Sequence, residues 1–329
     1  MNLIVETFKD VHLHAASMRD WRQTYSQLSP GLVRSSLQHV EGKRFQLFRE
    51  NINQRLVQQG EAPQDRVCFA FPLLVPGAAR LQGREADDRC MLALKGGEEF
   101  LFHMPQGMDM LSVTIDRETY LQAVENSPWR DEASQWMSKP VIRMPVHRLA
   151  QSRERLLQLL ARSMEISPYT DHTQAEQELE SDLLEEIICL LADPSFDSSQ
   201  RLPSSPGCFI VEKCHQMTMT DRQTPPSVLD LCERLRVSRR TVQSSFRAVT
   251  QITPVNYIRC IRLNGVRREL LGSRASELTI GDAAGQWGFY HLSHFAADYQ
   301  ILFGELPSQT RRLDRAAMAA GMAERRQAA

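Results

Sequence analysis

The chain has 329 residues, of which 42% are hydrophobic and 24% charged, and a formal net charge of −1. That length allows about two domains with separate cores, and that composition excludes wholesale disorder. No apolar run reaches transmembrane length and the opening "MNLIVETFKDVHLHA" meets charged residues too early for a signal peptide, so a cytoplasmic protein with no membrane partner is expected.

Seven cysteines (Cys68, Cys90, Cys189, Cys208, Cys214, Cys232, Cys260) form an odd set with no CxxC pair, which argues against a disulfide frame or a structural metal. The near-zero net charge conceals a segregation. Residues 201–315 hold 16 Lys and Arg against 10 Asp and Glu, whereas residues 1–200 hold 21 against 29. A basic C-terminal third beside an acidic remainder suits a polyanionic partner for the former.

Taken in chain order, residues 33–116 carry short runs of strand character: "LVRSSLQHV", "RFQLFREN", "VCFAFPLLV", "CMLALK", "EEFLFHM" and "MLSVTI". Turn signals such as "VPGAA", "KGG" and "PQGMD" separate them, and this spacing predicts an antiparallel sandwich or small barrel with an interior able to hold one small ligand. Phe69, Phe71, Met91 and His103 are hypothetical pocket residues, inseparable from core without the strand register.

The period then becomes helical in "RETYLQAVE", "VHRLAQSRERLLQLLARSMEI" and "QAEQELESDLLEEIICLLA". In the last of these Leu179, Leu183, Ile187, Leu190 and Leu191 form one stripe, which suits packing on the strand region or a dimer interface. Residues 196–206, Ser- and Pro-rich, read as a linker between a first domain at 1–195 and a second at 207–315, with 316–329 a flexible tail.

In the second domain, Ser227-Val-Leu-Asp230 has the capping-box form, and Val228, Leu231, Cys232 and Leu235 make the buried face of a short helix. Arg236-Val237 is a tight connection and Ser238 caps a second helix, "RRTVQSSFRA", so the layout is helix-turn-helix. "TPVNYIRCIRLNGVRRELL" then runs as a rod from its Thr253 cap and Pro254. Thr279-Ile-Gly-Asp282 opens an echo of the first motif, with Gly288 at the helix end and "YHLSHFAADYQILFG" as its second helix. Phe295 and Tyr299 repeat the apolar places of Val242 and Phe246. With Trp287 and Phe289, these aromatics read as core rather than base-stacking groups.

These residues, above all "VSRRTVQSSFRAVTQITPVNYIRCIRLNGVRREL" and "TIGDAAGQWGFYHLSHFAADYQILFGELPSQTR", resemble the DNA-binding domain of the AraC/XylS family along about a hundred residues. Within the family the likeness is greatest to regulators of ethanolamine-utilisation operons. The resemblance implies an α+β multidomain protein: an N-terminal cupin-like barrel with packed helices, then an all-α domain with two helix-turn-helix motifs joined by a long helix. It implies base-reading positions at Arg240, Gln243 and Ser244, beside the exposed Arg239, and at Leu292, Ser293, His294 and Ala297. Arg and Gln can make the bidentate contacts that distinguish G or A. The second set is poor in cations and long donors, so the first motif is expected to carry most base discrimination, the second adding backbone and thymine-methyl contacts. Ser238, Arg247, Arg259, Arg267, Arg268, Arg311 and Arg312 are candidates for phosphate contact.

The same resemblance implies a transcription regulator, an activator of a catabolic operon, with double-stranded DNA, RNA polymerase, a small-molecule effector and a second copy of the chain as partners. No cofactor is required, and ethanolamine with cobalamin is what the likeness within the family suggests. Catalysis has no support in the sequence: His12 and His14 precede the strands, His39 and His103 lack an HxH spacing, and no P-loop, GxSxG or dinucleotide fingerprint occurs. The alternatives are a regulator answering an unrelated signal and a protein–protein adaptor built on a degenerate DNA-binding domain.

Overall fold

The computed structural model describes residues 1–18, 20–128, 139–165, 172–192 and 204–312. Most of the expected linker and the whole expected tail lie outside these. The chain divides into two compact units, residues 1–25 with 33–209, and residues 26–32 with 210 onward.

The first unit holds two antiparallel sheets. Strands β1 (Asn2–Phe8), β3 (Ser35–Glu41), β4 (Phe45–Ile52), β6 (Arg66–Leu74), β9 (Cys90–Lys95), β11 (Met108–Asp116) and β12 (Val141–Arg143) build the larger, in the order β1-β3-β4-β11-β6-β9-β12. The smaller runs β2 (Arg22–Gln27), β5 (Leu56–Glu61), β10 (Glu99–Met104), β7 (Ala79–Leu81), β8 (Arg84–Ala86). Every run of strand character in the sequence is a strand here. Strands β2, β5, β7, β8 and β12 escaped notice because they are short or rich in Gln, Glu and Arg, with little apolar alternation to report them, and β1 lies ahead of the stretch read as strand-rich.

The two-residue period of a strand sorts the large sheet into two cores. On β11, Leu111, Val113 and Ile115 face one way and join a cluster with Phe69, Phe71 and Met91 beneath three helices. These are α2 (Arg117–Glu125), α3 (Val146–Met164) and α4 (His172–Leu191). The stripe Leu179, Leu183, Ile187, Leu190, Leu191 is buried there, so it covers its own sheet. Met108 and Met110 face the other way, into a core shared with Tyr25, Leu56, Phe100, Phe102 and Leu81 of the small sheet. A short helix α1 (Val11–Ser17), capped by Asp10 on the His12 amide at 2.7 Å, adds Val11 and Ala15 to that core.

The second unit is helical: α5 (Pro206–Thr220), which begins at the end of the first unit, α6 (Val228–Leu235), α7 (Arg239–Thr250), α8 (Pro254–Gly272), α9 (Ile280–Gln286) and α10 (Leu292–Phe303). At roughly 1.5 Å per residue, α8 is a rod of about 28 Å. Its Gly265 is required by packing, since a Cβ there would lie 2.2 Å from the Trp287 ring. Residues 26–32 belong to this unit as a strap. The Asn264 amide, fully buried, accepts from the Gln27 backbone N–H and donates to the Gln27 carbonyl, both at 2.8 Å. The Gln27 side-chain amide reaches the carbonyls of Ser29, Gly31 and Leu302 at 2.7–2.8 Å, and Gly31 N–H donates to Leu302 as well. Nothing in "SQLSPGL" announces this, because its partners lie more than two hundred residues away.

Candidate nucleic-acid interface and cavity

The first helix-turn-helix is set by its caps. Ser227 and Asp230 form a reciprocal capping box, at 3.1 Å from the Asp230 N–H to Ser227 Oγ and 2.8 Å from the Ser227 N–H to the Asp230 carboxylate. Helix α6 ends at Arg236, which takes the left-handed conformation (φ 53°), and Ser238 Oγ accepts the Thr241 N–H at 3.1 Å to start α7. The turn thus costs a non-glycine residue in αL. Val242, Phe246 and Val249 are buried on one face of α7, and the Phe246 ring packs edge-on against Tyr257 of α8 at 5.3 Å. The opposite face exposes Arg239, Arg240, Gln243, Ser244 and Arg247 together. None of these arginines forms an ion pair with a described residue. Unpaired guanidinium groups on one helix face can take base edges or phosphates without first breaking an internal bond.

The second motif repeats the construction. Thr279 Oγ1 accepts the Asp282 N–H at 3.0 Å, and Gly288 turns the chain with φ +72°, where a Cβ would strike the Gln223 carbonyl at 2.3 Å. Phe295 and Tyr299 are buried on α10, while Leu292, Ser293, His294 and Ala297 are exposed. Tyr290 and Ile301 are exposed too, at 71% and 64%, which makes this face more apolar than that of α7.

The expected phosphate contacts divide. Ser238, Arg247 and Arg311 are exposed. Arg267 is not available: it is buried in a 2.8 Å ion pair with Glu305, donates to Tyr299 Oη at 3.1 Å, and lies over the Phe303 ring at 4.6 Å. Arg268 is half-buried on Ser26 Oγ at 3.2 Å, with its pKa lowered to about 10, by burial first and then by Arg222. Both are corrections to the sequence reading, and both have one cause: their face of α8 is inside the unit. Arg259 pairs with Asp298 at 3.4 Å, and Arg312 donates to the carbonyls of Arg274 and Leu278 at 3.1 and 2.5 Å.

Between the two sheets of the first unit lies a cavity of about 50 Å³. Trp21, Phe48, Phe100, Phe102, Met18 and Met110 supply apolar wall, and Gln23, Tyr25, Glu50, Gln58, Ser112 and Thr114 supply polar wall. The register corrects the hypothetical pocket set. Phe71 and Met91 face the helices, the Phe69 ring packs on Tyr120 at 5.8 Å although the residue borders the cavity, and the lining does not include His103. Cobalamin is many times larger than this space, so that suggestion falls. Among the described residues no group of three His, Cys, Asp or Glu could hold a metal ion, and no helix is long and apolar enough to cross a membrane.

Residues 231–313 match the family model described as a helix-turn-helix domain. The chain is 27% identical over 227 residues to the XylDLEGF operon transcriptional activator 3 of Pseudomonas putida, covering 69% of this chain and 62% of that protein. It is 38% identical over 103 residues to the XylDLEGF operon transcriptional activator 2 of the same organism, covering 31% and 64%. The chain therefore spans less than two thirds of these relatives. Among solved structures, the AraC-like transcriptional activator CuxR is similar with a TM-score of 0.44 at 12% identity, over 88% of this chain and 100% of that one. The helix-turn-helix match and the operon activators support the AraC/XylS resemblance, and these relatives are regulators rather than enzymes.

Proposed function

We propose that the chain is a sequence-specific DNA-binding transcription regulator, an effector-responsive activator of a catabolic operon. The observation that carries this reading is the pair of helix-turn-helix motifs on one rod, each exposing one face of its second helix. Arg239, Arg240, Gln243 and Ser244 read base edges in the major groove, and Ser238, Arg247 and Arg311 hold phosphates. Leu292, Ser293, His294 and Ala297 contribute fewer base contacts and more apolar contact, in line with their chemistry.

The strand unit supplies the effector site and RNA polymerase is the partner through which activation is read out; a homodimer would set two such chains on adjacent half-sites. Sequence likeness of the helical unit to regulators of ethanolamine-utilisation operons favours ethanolamine or another small amine as the effector. An effector acts here only by binding two arrangements of the protein unequally.

Genome-wide footprinting of the unmodified chain beside Arg240→Ala and Gln243→Ala, in cells fed different amines, tests the reading. Discrete sites upstream of a catabolic operon, lost in both variants, are expected. The absence of discrete sites under any feed would instead favour the adaptor alternative, a fold kept without its function.

A further inference from the structure

The polar end of the cavity is built around one hydroxyl. Tyr25 Oη accepts from Gln58 Nε2 at 3.2 Å and Gln23 Nε2 at 3.3 Å, and donates to Glu50 Oε2 at 3.0 Å. Gln58 Nε2 also donates to Gln23 Oε1 at 2.6 Å. The hydroxyl has no further hydrogen to give, and the Gln58 amide is committed to its neighbours. Beyond one remaining N–H on Gln23, what the cluster has left to offer is acceptor capacity, concentrated on the Glu50 carboxylate.

Glu50 is 1% exposed, and among the described residues no Lys or Arg pairs with it. Its chain neighbour Arg49 on β4 is committed to Asp109 of the adjacent β11 at 2.6 and 3.0 Å. His14 Nε2 lies 3.7 Å from Glu50 Oε2, too far for a hydrogen bond. The ring is buried, stacked on Phe8 at 4.7 Å, bonded through Nδ1 to Ser35 at 2.9 Å, and burial lowers its pKa to about 4. Burial correspondingly raises Glu50 to about 7, against the Tyr25 hydrogen bond. A buried carboxylate is normally paired, because an isolated one is costly.

The same cavity is lined by the aromatic side chains of Trp21, Phe48 and Phe100. Trp21 stands edge-on to Phe48 at 6.4 Å and to Phe100 at 5.9 Å. Aromatic faces attract cations and exclude anions. The Trp21 indole N–H has no hydrogen-bond partner among the described residues and would be satisfied by an acceptor. At about 10–15 Å³ of cavity volume per water, the space has room for roughly four water-sized groups.

We infer that this cavity binds a compact organic ammonium ion of four or five heavy atoms, with Glu50 as its counter-ion and the Trp21, Phe48 and Phe100 rings as its cage. A hydroxyl on the same molecule would take the Trp21 N–H. The inference deepens the regulator reading and rests on it for the word effector, though the binding itself does not.

The test is calorimetric or NMR titration of the full chain with four probes of nearly equal size: 2-aminoethanol, propylamine, 1-propanol and propionate. Saturable binding of the two amines is expected, with Kd between tens of micromolar and about 1 mM, the range so few heavy atoms permit. The 1-propanol and propionate probes should bind at least about tenfold more weakly. Glu50→Gln, nearly isosteric, should lower amine affinity at least about tenfold, and Ser112→Leu, which fills the cavity from β11, should abolish it. Far-UV circular dichroism of both variants verifies that they fold.

Propionate or propanol binding as well as the amines, amine affinity unchanged in Glu50→Gln or Ser112→Leu, or no saturable amine binding would each overturn the inference. Footprinting the same preparation separates the two levels. Sequence-selective DNA binding without amine binding removes this inference alone, and amine binding without selective DNA binding removes the regulator reading alone.

Discussion

Replacing Asn264 by alanine removes three hydrogen bonds at once: from the Gln27 N–H, to the Gln27 carbonyl, and to the Cys260 carbonyl at 2.7 Å. Asn264 is fully buried and Gln27 is 1% exposed, so alanine leaves the two Gln27 backbone groups without water or partner. An orphaned buried polar group costs about 1–3 kcal/mol, and two of them predict a loss of roughly 2–6 kcal/mol. Against a typical total of about 5–15 kcal/mol, that is a large share. Asn264→Asp keeps the acceptor for the Gln27 N–H but sets a buried carboxylate oxygen against the Gln27 and Cys260 carbonyls, so at neutral pH it should be at least as destabilising as alanine. Urea denaturation followed by hydrogen exchange at the Gln27 and Gly31 amides measures both the loss and its location. A change below about 1 kcal/mol, with the Gln27 amide still protected, would show that the strap is held by other contacts and refute the reasoning.

The arginines separate by function. Arg240→Ala should cost about 1–3 kcal/mol on the cognate DNA site and relax selectivity at one base pair, whereas Arg247→Ala should weaken all sequences alike and reduce the salt slope by about 1; binding isotherms on matched and scrambled duplexes across salt concentrations decide it. Arg267→Ala leaves the partly exposed Glu305 with Thr310 as its partner, removes the contacts with Tyr299 and Phe303, and should destabilise the fold by about 1–3 kcal/mol while leaving the salt slope of the residual folded protein unchanged; a lowered slope with intact stability would restore it as a phosphate contact. Glu50 has a folded pKa of about 7 against an ordinary 4.5, from burial and then the Asp109 charge, opposed by Tyr25. The stability linked to its bound proton is therefore complete below pH 4.5 and lost as pH rises through 7, a cost of roughly 3 kcal/mol above that. Glu50→Gln should accordingly gain stability over wild type at pH 8 and lose that advantage by pH 5, read from paired urea melts; a pH-independent difference contradicts it.

The helical unit was largely legible because its signals are local. Ser227, Ser238, Thr253 and Thr279 each sit within three residues of the amide they cap, and Val242, Phe246, Phe295 and Tyr299 follow the helical period. What failed there was non-local. Arg267 looks like any surface arginine until Tyr299, Phe303 and Glu305 are folded over it. The strand unit was legible as a class but not as a site. Glu50, Tyr25, Gln23 and Gln58 meet only because β4, β2 and β5 bring three separate polar stretches to one end of a cavity. One residue of register would turn Glu50 to the other face, and no single sequence window contains that information.

The strap also fixes an order of events in the life of the chain. Gln27 is synthesised 237 residues before the Asn264 that satisfies it, and 275 before the Leu302 carbonyl. During translation it must wait unpaired, and the helical unit closes only when almost the whole chain has left the ribosome. Long-range closure of this kind slows folding more than it costs stability. It also means that a cut in the 196–206 segment leaves a C-terminal fragment already missing part of its own interior, so the helical half of this protein is not a module that can be lifted out by one cleavage.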